Sequence, residues 1–232
     1  MAWMQFSHGI RLDPTATKLP EALVVLLHDF GGSAAMLTAK LARWATMVPA
    51  TAFVALDGVE RPESATDGAM DGALANGAGG GVAGIARAAQ DLELLVDQQL
   101  RSYRLGPNRL VLAGFGYGGT VALHLLLHRG WTCAGVLAYG AKVVRPLPGS
   151  LQVQSKVRLI ECIGDGHVGY GSVREVVSLL TDRGIDARGV LLGGSVFSDA
   201  AIRHGGAYLV ELVATAQRGA DRFQSNSETH HA

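Results

Sequence analysis

The segment from Arg109 to Gly119, RLVLAGFGYGG, constrains the fold of this chain more than any other stretch. The run 109–113 is short and apolar, which is typical of a buried strand in a parallel sheet. Glycines follow it at once, and the apolar residues 120–129 then predict a buried helix. A strand, a tight glycine turn and a helix in this order indicate one βα unit of an α/β protein.

The rest of the chain alternates in the same way. Ser33 is placed to cap the first long helix, which runs through Leu37, Leu41, Trp44 and Ala45. We expect one mainly parallel sheet with helices on both faces. The predicted strands are 4–10, 22–28, 51–56, 109–113, 133–138, 156–162 and 187–192, and the later helices are 82–104, 120–129, 172–183 and 199–216.

Length and composition predict a single domain. A chain of 232 residues with 48% hydrophobic residues can bury a sizeable core. We expect one α/β domain over residues 1–216 and a polar, disordered tail over residues 217–232. The glycine-rich segment 59–81 is predicted to be a functional or mobile loop.

Charge and cysteine content exclude several functional classes. The 20 basic and 20 acidic residues balance, which gives no electrostatic reason to expect binding to nucleic acid or an anionic membrane. No apolar run reaches the ~20 residues of a membrane span, and no leader pattern precedes the first strand. Cys133 and Cys162 lie in apolar runs and are predicted to be buried thiols. A cytoplasmic protein without a cofactor or metal is expected.

The glycine turn after residue 113 allows three interpretations. It is a generic strand-to-helix turn, a phosphate-binding loop, or a nucleophile elbow of the G-x-S-x-G type with Gly116 at the serine position. A phosphate loop is expected in the first βα unit, with an acidic residue about 20 positions later, and this segment meets neither condition. The elbow fits the order of elements best. A glycine there offers no side chain to attack a carbonyl.

Two motifs together resemble those of a known family. The stretches LVVLLHDFGG and RLVLAGFGYGG are similar to the strand–H-G-x-G and strand–G-F-S-Q-G-G motifs of small α/β-hydrolases of the phospholipase/carboxylesterase type, which include acyl-protein thioesterases. The resemblance runs from about residue 22 to residue 213. It implies an α/β-hydrolase fold and places Gly116, Asp165 and Ser195 where the family has its catalytic serine, aspartate and histidine.

The resemblance also implies an altered oxyanion hole. Its donors would be the backbone N–H groups of Phe30 and Tyr117. Asp29 replaces a glycine of the family, so its carboxylate would oppose a developing negative charge unless it points away or is neutralised. The alternative is a turn residue that hydrogen-bonds to its own backbone. His28 is expected to orient this turn. Tyr117 is expected either to form a floor beneath a small apolar ligand or to pack against the loop 59–81.

The remaining histidines offer weaker candidates. His167 follows Asp165 by two residues and is either a replacement base at the pocket mouth or a solvated loop residue. His124 and His128 share a helix face, but zinc binding would need a third ligand, and we expect packing residues instead. His204 is expected in the last helix, away from the vacant histidine position.

These observations predict a noncatalytic α/β-hydrolase-fold protein, a pseudo-esterase. The former cleft, with His28, Asp29, Phe30, Tyr117 and His167, is predicted to bind a small hydrophobic or acyl-like ligand or a protein partner. A homodimer is compatible with this prediction. Two alternatives stand beside it: an esterase or thioesterase with residual or rebuilt activity, and a subunit that stabilises an active relative. We also expect the double change Gly116→Ser with Ser195→His to restore some hydrolysis.

Overall fold

A computed structural model describes residues 4–6, 9–57, 80–149, 154–164 and 173–228. The strands in these ranges are β1 Met4–Phe6, β2 Gly9–Leu12, β3 Ala22–Leu27, β4 Thr51–Leu56, β5 Leu110–Phe115, β6 Gly135–Tyr139, β7 Lys156–Ile163 and β8 Ala187–Gly193. The α-helices are α1 Ala34–Met47, α2 Gly80–Tyr103, α3 Tyr117–His128, α4 Val173–Thr181 and α5 Asp199–Glu228, and a 3₁₀ helix spans Pro107–Arg109.

The described strands form one sheet in the order β1-β2-β4-β3-β5-β6-β7-β8. The strands from β3 to β8 are mutually parallel, and β2 pairs antiparallel with both β1 and β4. The mainly parallel sheet predicted from the sequence is therefore confirmed. Because every connection between neighbouring parallel strands crosses back over the sheet, the loops that follow β3, β5 and β8 open at the same carboxyl-terminal edge.

Helices cover both faces of this sheet, as expected. One face packs against α2, α3 and α4 through residues such as Ile85, Val121 and Val176. The other packs against α1 and α5 through residues such as Trp44 and Leu209. All residues of β3, β4 and β5 are buried, which explains why these strands appear in the sequence as continuous apolar runs.

Several predicted boundaries are wrong. In place of the single strand expected at 4–10 there are two antiparallel strands, β1 and β2. Gly9 of β2 lies so close to the Ala55 carbonyl of β4 that no side chain fits there. Helix α3 begins at Tyr117 rather than at residue 120, and β6 begins at Gly135 rather than at residue 133. Helix α5 continues past residue 216, to Glu228.

Other expectations have mixed outcomes. Cys133 and Cys162 are buried free thiols, as predicted, and burial raises the pKa of Cys133 to about 11. Of the loop expected at 59–81, residues 80–81 belong to α2, and the others lie outside the described residues. Within the described ranges, no helix combines the length and apolar character needed to cross a bilayer.

A buried charge cluster joins β7, β8 and α5 at the other end of the sheet. Arg158 of β7 is fully buried, and its guanidinium donates to the Glu211 carboxylate of α5 at 2.6 Å and to the Asp186 carboxylate at 3.0 Å. Lys156 lies 3.3 Å from Glu211. The hydrogen bond from Arg158 lowers the pKa of Glu211 to about 2. This cluster fixes α5 against the edge of the sheet.

Candidate active-site cleft

The glycine turn after β5 forms a sharp elbow. Gly116 has φ +50° and ψ −115°, a region where a side chain is strained, and its N–H donates to the Tyr139 carbonyl at 2.8 Å. A Cβ on Gly118 would lie 2.6 Å from the carbonyl oxygen of His28. The glycine-rich spacing therefore lets the elbow pack directly against the turn that follows β3.

Asp29 places its carboxylate at the centre of this contact. Its Oδ1 accepts hydrogen bonds from the backbone N–H groups of Phe30 and Tyr117, each at 2.8 Å. These two N–H groups are the oxyanion-hole donors that the family resemblance implies. They converge on one point, at the amino terminus of α3, where the helix dipole also favours a negative charge. The Asp29 carboxylate occupies this point.

Asp29 and the missing nucleophile compete for the same space. A Cβ built on Gly116 would overlap the Asp29 carboxylate carbon and both of its oxygens. Asp29 therefore does not point away from the elbow. The turn interpretation also holds in part, because the Asp29 carbonyl accepts from the Gly32 N–H at 2.9 Å.

An aromatic pair lies beside this carboxylate. The rings of Phe30 and Tyr117 stack with centroids 4.2 Å apart and planes 25° apart. Tyr117 is only 5% exposed, and its hydroxyl makes no hydrogen bond. Burial raises the pKa of Tyr117 to about 12, so the hydroxyl stays protonated at neutral pH. The two residues that hold Asp29 through their backbones thus also form an aromatic surface next to it.

His28 has the positioning role expected for it. The side chain is buried, and Nδ1 lies 2.7 Å from the Asp29 carbonyl oxygen. Because a carbonyl only accepts, Nδ1 carries the proton in this contact. His28 therefore holds the turn that presents the Asp29 carboxylate to the elbow.

The predicted histidine position lies on the loop after β8. Ser195 is exposed there, and Phe197 of the same loop stacks on Phe115 at 5.1 Å, directly before the elbow. Ser198 caps α5 by accepting from the Ala201 N–H at 3.3 Å. Asp165 and His167 lie outside the described residues, so the convergence of the three triad positions stays a prediction.

His124, His128 and His204 lie in helices and not in the elbow turn. His124 and His128 stack with centroids 4.4 Å apart on α3, and His128 Nε2 donates to the Val144 carbonyl at 3.0 Å. Burial lowers the pKa of His124 to about 4. No group of three potential metal ligands occurs in the part of the chain that the structure describes. His204 lies in α5, as expected.

The comparison with protein families identifies the family of this chain. A family model described as Phospholipase/Carboxylesterase matches residues 15–165, more than half of the chain and both glycine turns of the cleft. This chain belongs to the phospholipase/carboxylesterase family. The resemblance and the α/β-hydrolase fold expected from the sequence are both confirmed.

Solved structures of several esterases superimpose on most of the chain. The esterase PE8 is 25% identical with a TM-score of 0.73, covering 88% of this chain and 98% of its own. A Bacillus cereus carboxylesterase is 15% identical with a TM-score of 0.66, covering 87% and 92% respectively. A Mesorhizobium loti carboxylesterase is 17% identical with a TM-score of 0.68, covering 89% and 98%. Among curated proteins, no relative matches.

The resemblance predicted Phe30 and Tyr117 as oxyanion-hole donors, but it did not predict that both N–H groups donate to the Asp29 carboxylate. The sequence contained a signal for this contact, since Asp29 directly precedes Phe30. The missing information was the distance from Asp29 to the elbow, because these elements are 88 residues apart in the chain. That proximity depends on the pairing of β3 with β5.

Proposed function

We propose that this member of the phospholipase/carboxylesterase family is noncatalytic and that its former active-site cleft binds a small hydrophobic or acyl-like ligand or a protein partner. One observation carries the proposal. The Asp29 carboxylate fills the space of the nucleophile's side chain and accepts hydrogen bonds from both oxyanion donors.

This arrangement opposes ester hydrolysis at two steps. No oxygen on Gly116 can attack a carbonyl carbon. A tetrahedral intermediate would also place negative charge beside Asp29, and two like charges about 4 Å apart repel by about 4 kcal/mol at an effective dielectric constant of ~20. That repulsion corresponds to roughly a thousandfold loss of rate.

Binding is supported by the surfaces that remain. Phe30 is only partly buried, and its ring, which is backed by the buried Tyr117 ring, offers apolar area beside the partly buried Asp29 carboxylate; apolar lining with a few polar groups is the usual composition of a small-molecule site. Aromatic rings contribute large contact areas at low conformational entropy cost. The cleft thus keeps features needed for binding after losing those needed for acyl transfer.

The proposal is tested by assaying purified protein with p-nitrophenyl acetate and butyrate and by labelling with a fluorophosphonate probe. We expect no hydrolysis above a heat-denatured control and no label, because neither Gly116 nor Asp29 offers an activated hydroxyl. Turnover well above that control would overturn the noncatalytic proposal. Its loss in Asp29→Asn would then identify the carboxylate as part of a rebuilt site.

A further inference from the structure

We propose that two copies of this chain pair through the edge strand β8, antiparallel and about a two-fold axis at Val190, so that their sheets become one. The inference goes beyond the proposed function and does not rest on the chemistry of the cleft. It gives the homodimer, with which the sequence is compatible, a specific surface. Three observations on the described residues carry it.

The first observation is the open hydrogen-bonding edge of β8, the last strand of the sheet. Just before the strand, the Asp186 carbonyl accepts from the Val157 N–H at 2.9 Å, and just after it, the Gly194 N–H donates to the Ile163 carbonyl at 3.3 Å. Backbone groups alternate in direction along a strand, so the even-numbered residues of β8 face β7. The residues whose N–H and C=O groups face outward are Ala187, Gly189, Leu191 and Gly193. No hydrogen bond among the described residues uses these outward groups.

The second observation is that β8 lacks the features that protect sheet edges. Natural edges are protected by very short strands, prolines, lysines or a covering element. The opposite edge strand, β1, has three residues, whereas β8 has seven and contains no proline or lysine. Its one charged residue, Arg188, lies near its start, and Leu191 is 52% exposed. An apolar edge of this length is a template for a further strand.

The third observation is that β8 is complementary to itself. Val190 is the middle residue of the strand, and a two-fold axis there pairs every outward-facing residue with another one. The pairs are Ala187 with Gly193 and Gly189 with Leu191. Helix α4 packs so closely on Gly189 that a Cβ there would overlap the Val173 side chain. Leu191 of the second copy therefore lies opposite a glycine and packs against the partly exposed Val173.

The same symmetry keeps the charges and the clefts of the two copies apart. Arg188 lies opposite Leu192 of the second copy, so the two arginines are separated by about four residues of strand, roughly 13 Å, and are screened from each other. The two β8 strands run in opposite directions. The clefts therefore open at opposite edges of the joined sheet.

Analytical ultracentrifugation of the full chain tests the pairing. We expect the wild type at about 100 μM to sediment with twice the chain mass of 24.2 kDa, since mass action favours the dimer at high concentration. Leu191→Lys places a charge on the apolar edge and should raise the dimer dissociation constant at least tenfold. Leu94→Lys is the matched control, because Leu94 is 64% exposed on α2, and it should dimerise as wild type does. Circular dichroism checks that both variants fold.

Disulfide cross-linking tests the register. The axis places Val190 opposite Val190 of the second copy, at a pair without backbone hydrogen bonds, where Cα atoms lie about 4.5 Å apart and within disulfide reach. Oxidised Val190→Cys should therefore run as a covalent dimer on a non-reducing gel. Leu94→Cys is the control and should run as a monomer. The native Cys133 and Cys162 are buried, so the wild type should not cross-link.

Three outcomes would overturn the inference: a monomeric wild type at about 100 μM, a Leu191→Lys variant as dimeric as the wild type, or no cross-link in Val190→Cys. The first needs no variant, so it decides the matter even if a variant fails to fold. A dimer that keeps its mass in Leu191→Lys would place the interface elsewhere. None of these outcomes bears on hydrolysis or on the ligand of the cleft, so the proposed function stands or falls separately.

Discussion

At the scale of single residues, the cleft is defined by the residues at positions 116 and 29. Gly116 contributes no atoms beyond its backbone, and Asp29 fills the space this leaves. The carboxylate accepts from the N–H groups of Phe30 and Tyr117, and the Tyr117 N–H is one of the first N–H groups of α3, which have no partner within the helix. A carboxylate bound to backbone N–H groups makes charge-assisted hydrogen bonds, about twice as strong as neutral ones.

The position of Asp29 changes which substitutions are expected to produce an active variant. The double change Gly116→Ser with Ser195→His leaves Asp29 over the elbow, where a serine Cβ would collide with its carboxylate. We now expect p-nitrophenyl butyrate hydrolysis only after Asp29→Gly is added, which clears the space and frees both donors. The triple variant should exceed the double variant by about 10–1000-fold, the usual value of restoring oxyanion donors.

The double variant and Asp29→Gly alone are the controls, and both should remain near the background rate. A double variant as active as the triple variant would show that Asp29 moves aside without cost. The new serine must also adopt the positive φ of the elbow, which costs about 1–3 kcal/mol of stability. Thermal unfolding of all three variants separates that loss from an effect on catalysis.

At the scale of elements, helix α5 lies unusually close to the sheet at Gly205. Two buried aromatic side chains donate to its first turn: Tyr139 Oη to the Ala201 carbonyl and Trp44 Nε1 to the Ile202 carbonyl, both at 3.0 Å. A Cβ on Gly205 would overlap the Tyr139 hydroxyl and lie 2.9 Å from Trp44. A glycine in the helix is therefore required by packing here.

We predict that Gly205→Ala destabilises the protein although alanine favours helix. The gain in helix propensity is about 1 kcal/mol, and displacing buried aromatic rings costs about 1–3 kcal/mol. The net loss should appear as a lower midpoint in urea. Gly206→Ala is the matched control, because its Cβ would approach the flexible end of Met47 at 2.8 Å and would lie in ordinary contact with Trp44 at 3.4 Å. An equally stable Gly205→Ala would show that α5 shifts freely.

At the scale of the whole molecule, the buried cluster around Arg158 links stability to pH. Its hydrogen bond lowers the folded pKa of Glu211 to about 2, below the ordinary value of 4.5. A carboxylate with a depressed folded pKa stabilises the protein above its unfolded pKa, and this contribution is lost as pH falls through the folded pKa. The contribution is on the order of 3 kcal/mol.

We expect the wild-type free energy of unfolding to fall as pH decreases from about 5 to 2, and Glu211→Gln to lack much of this change because its amide does not titrate. At pH 7 the variant should be less stable, since Arg158 keeps only part of its pairing. Urea titrations at several pH values measure both effects. Glu93→Gln, which removes a surface partner of Arg129, is the control. Parallel pH profiles for Glu211→Gln and wild type would contradict the assignment.

The sequence predicted the buried central strands of this fold better than the features at the edges of the sheet. Strands such as β4 are buried on both faces, so their apolar runs mark their limits directly. The charge cluster was hidden because Arg158 interrupts an apolar run and its partners Asp186 and Glu211 lie 28 and 53 residues away. At the cleft, the resemblance predicted positions for the catalytic groups, and these positions stay a prediction. It did not reveal that Asp29 replaces them in space.

A side chain at residue 116 and the Asp29 carboxylate cannot occupy the elbow together. This fixes the order of the substitutions by which such a cleft could arise from an active one. Asp29 cannot adopt its observed position while residue 116 carries a side chain, so the loss of the nucleophile must precede or accompany that arrangement. Once it exists, a single reversion to serine meets a steric collision and a filled oxyanion hole. Under the proposed noncatalytic role, loss of hydrolysis takes one substitution, at residue 116, whereas its recovery requires residue 29 to change as well.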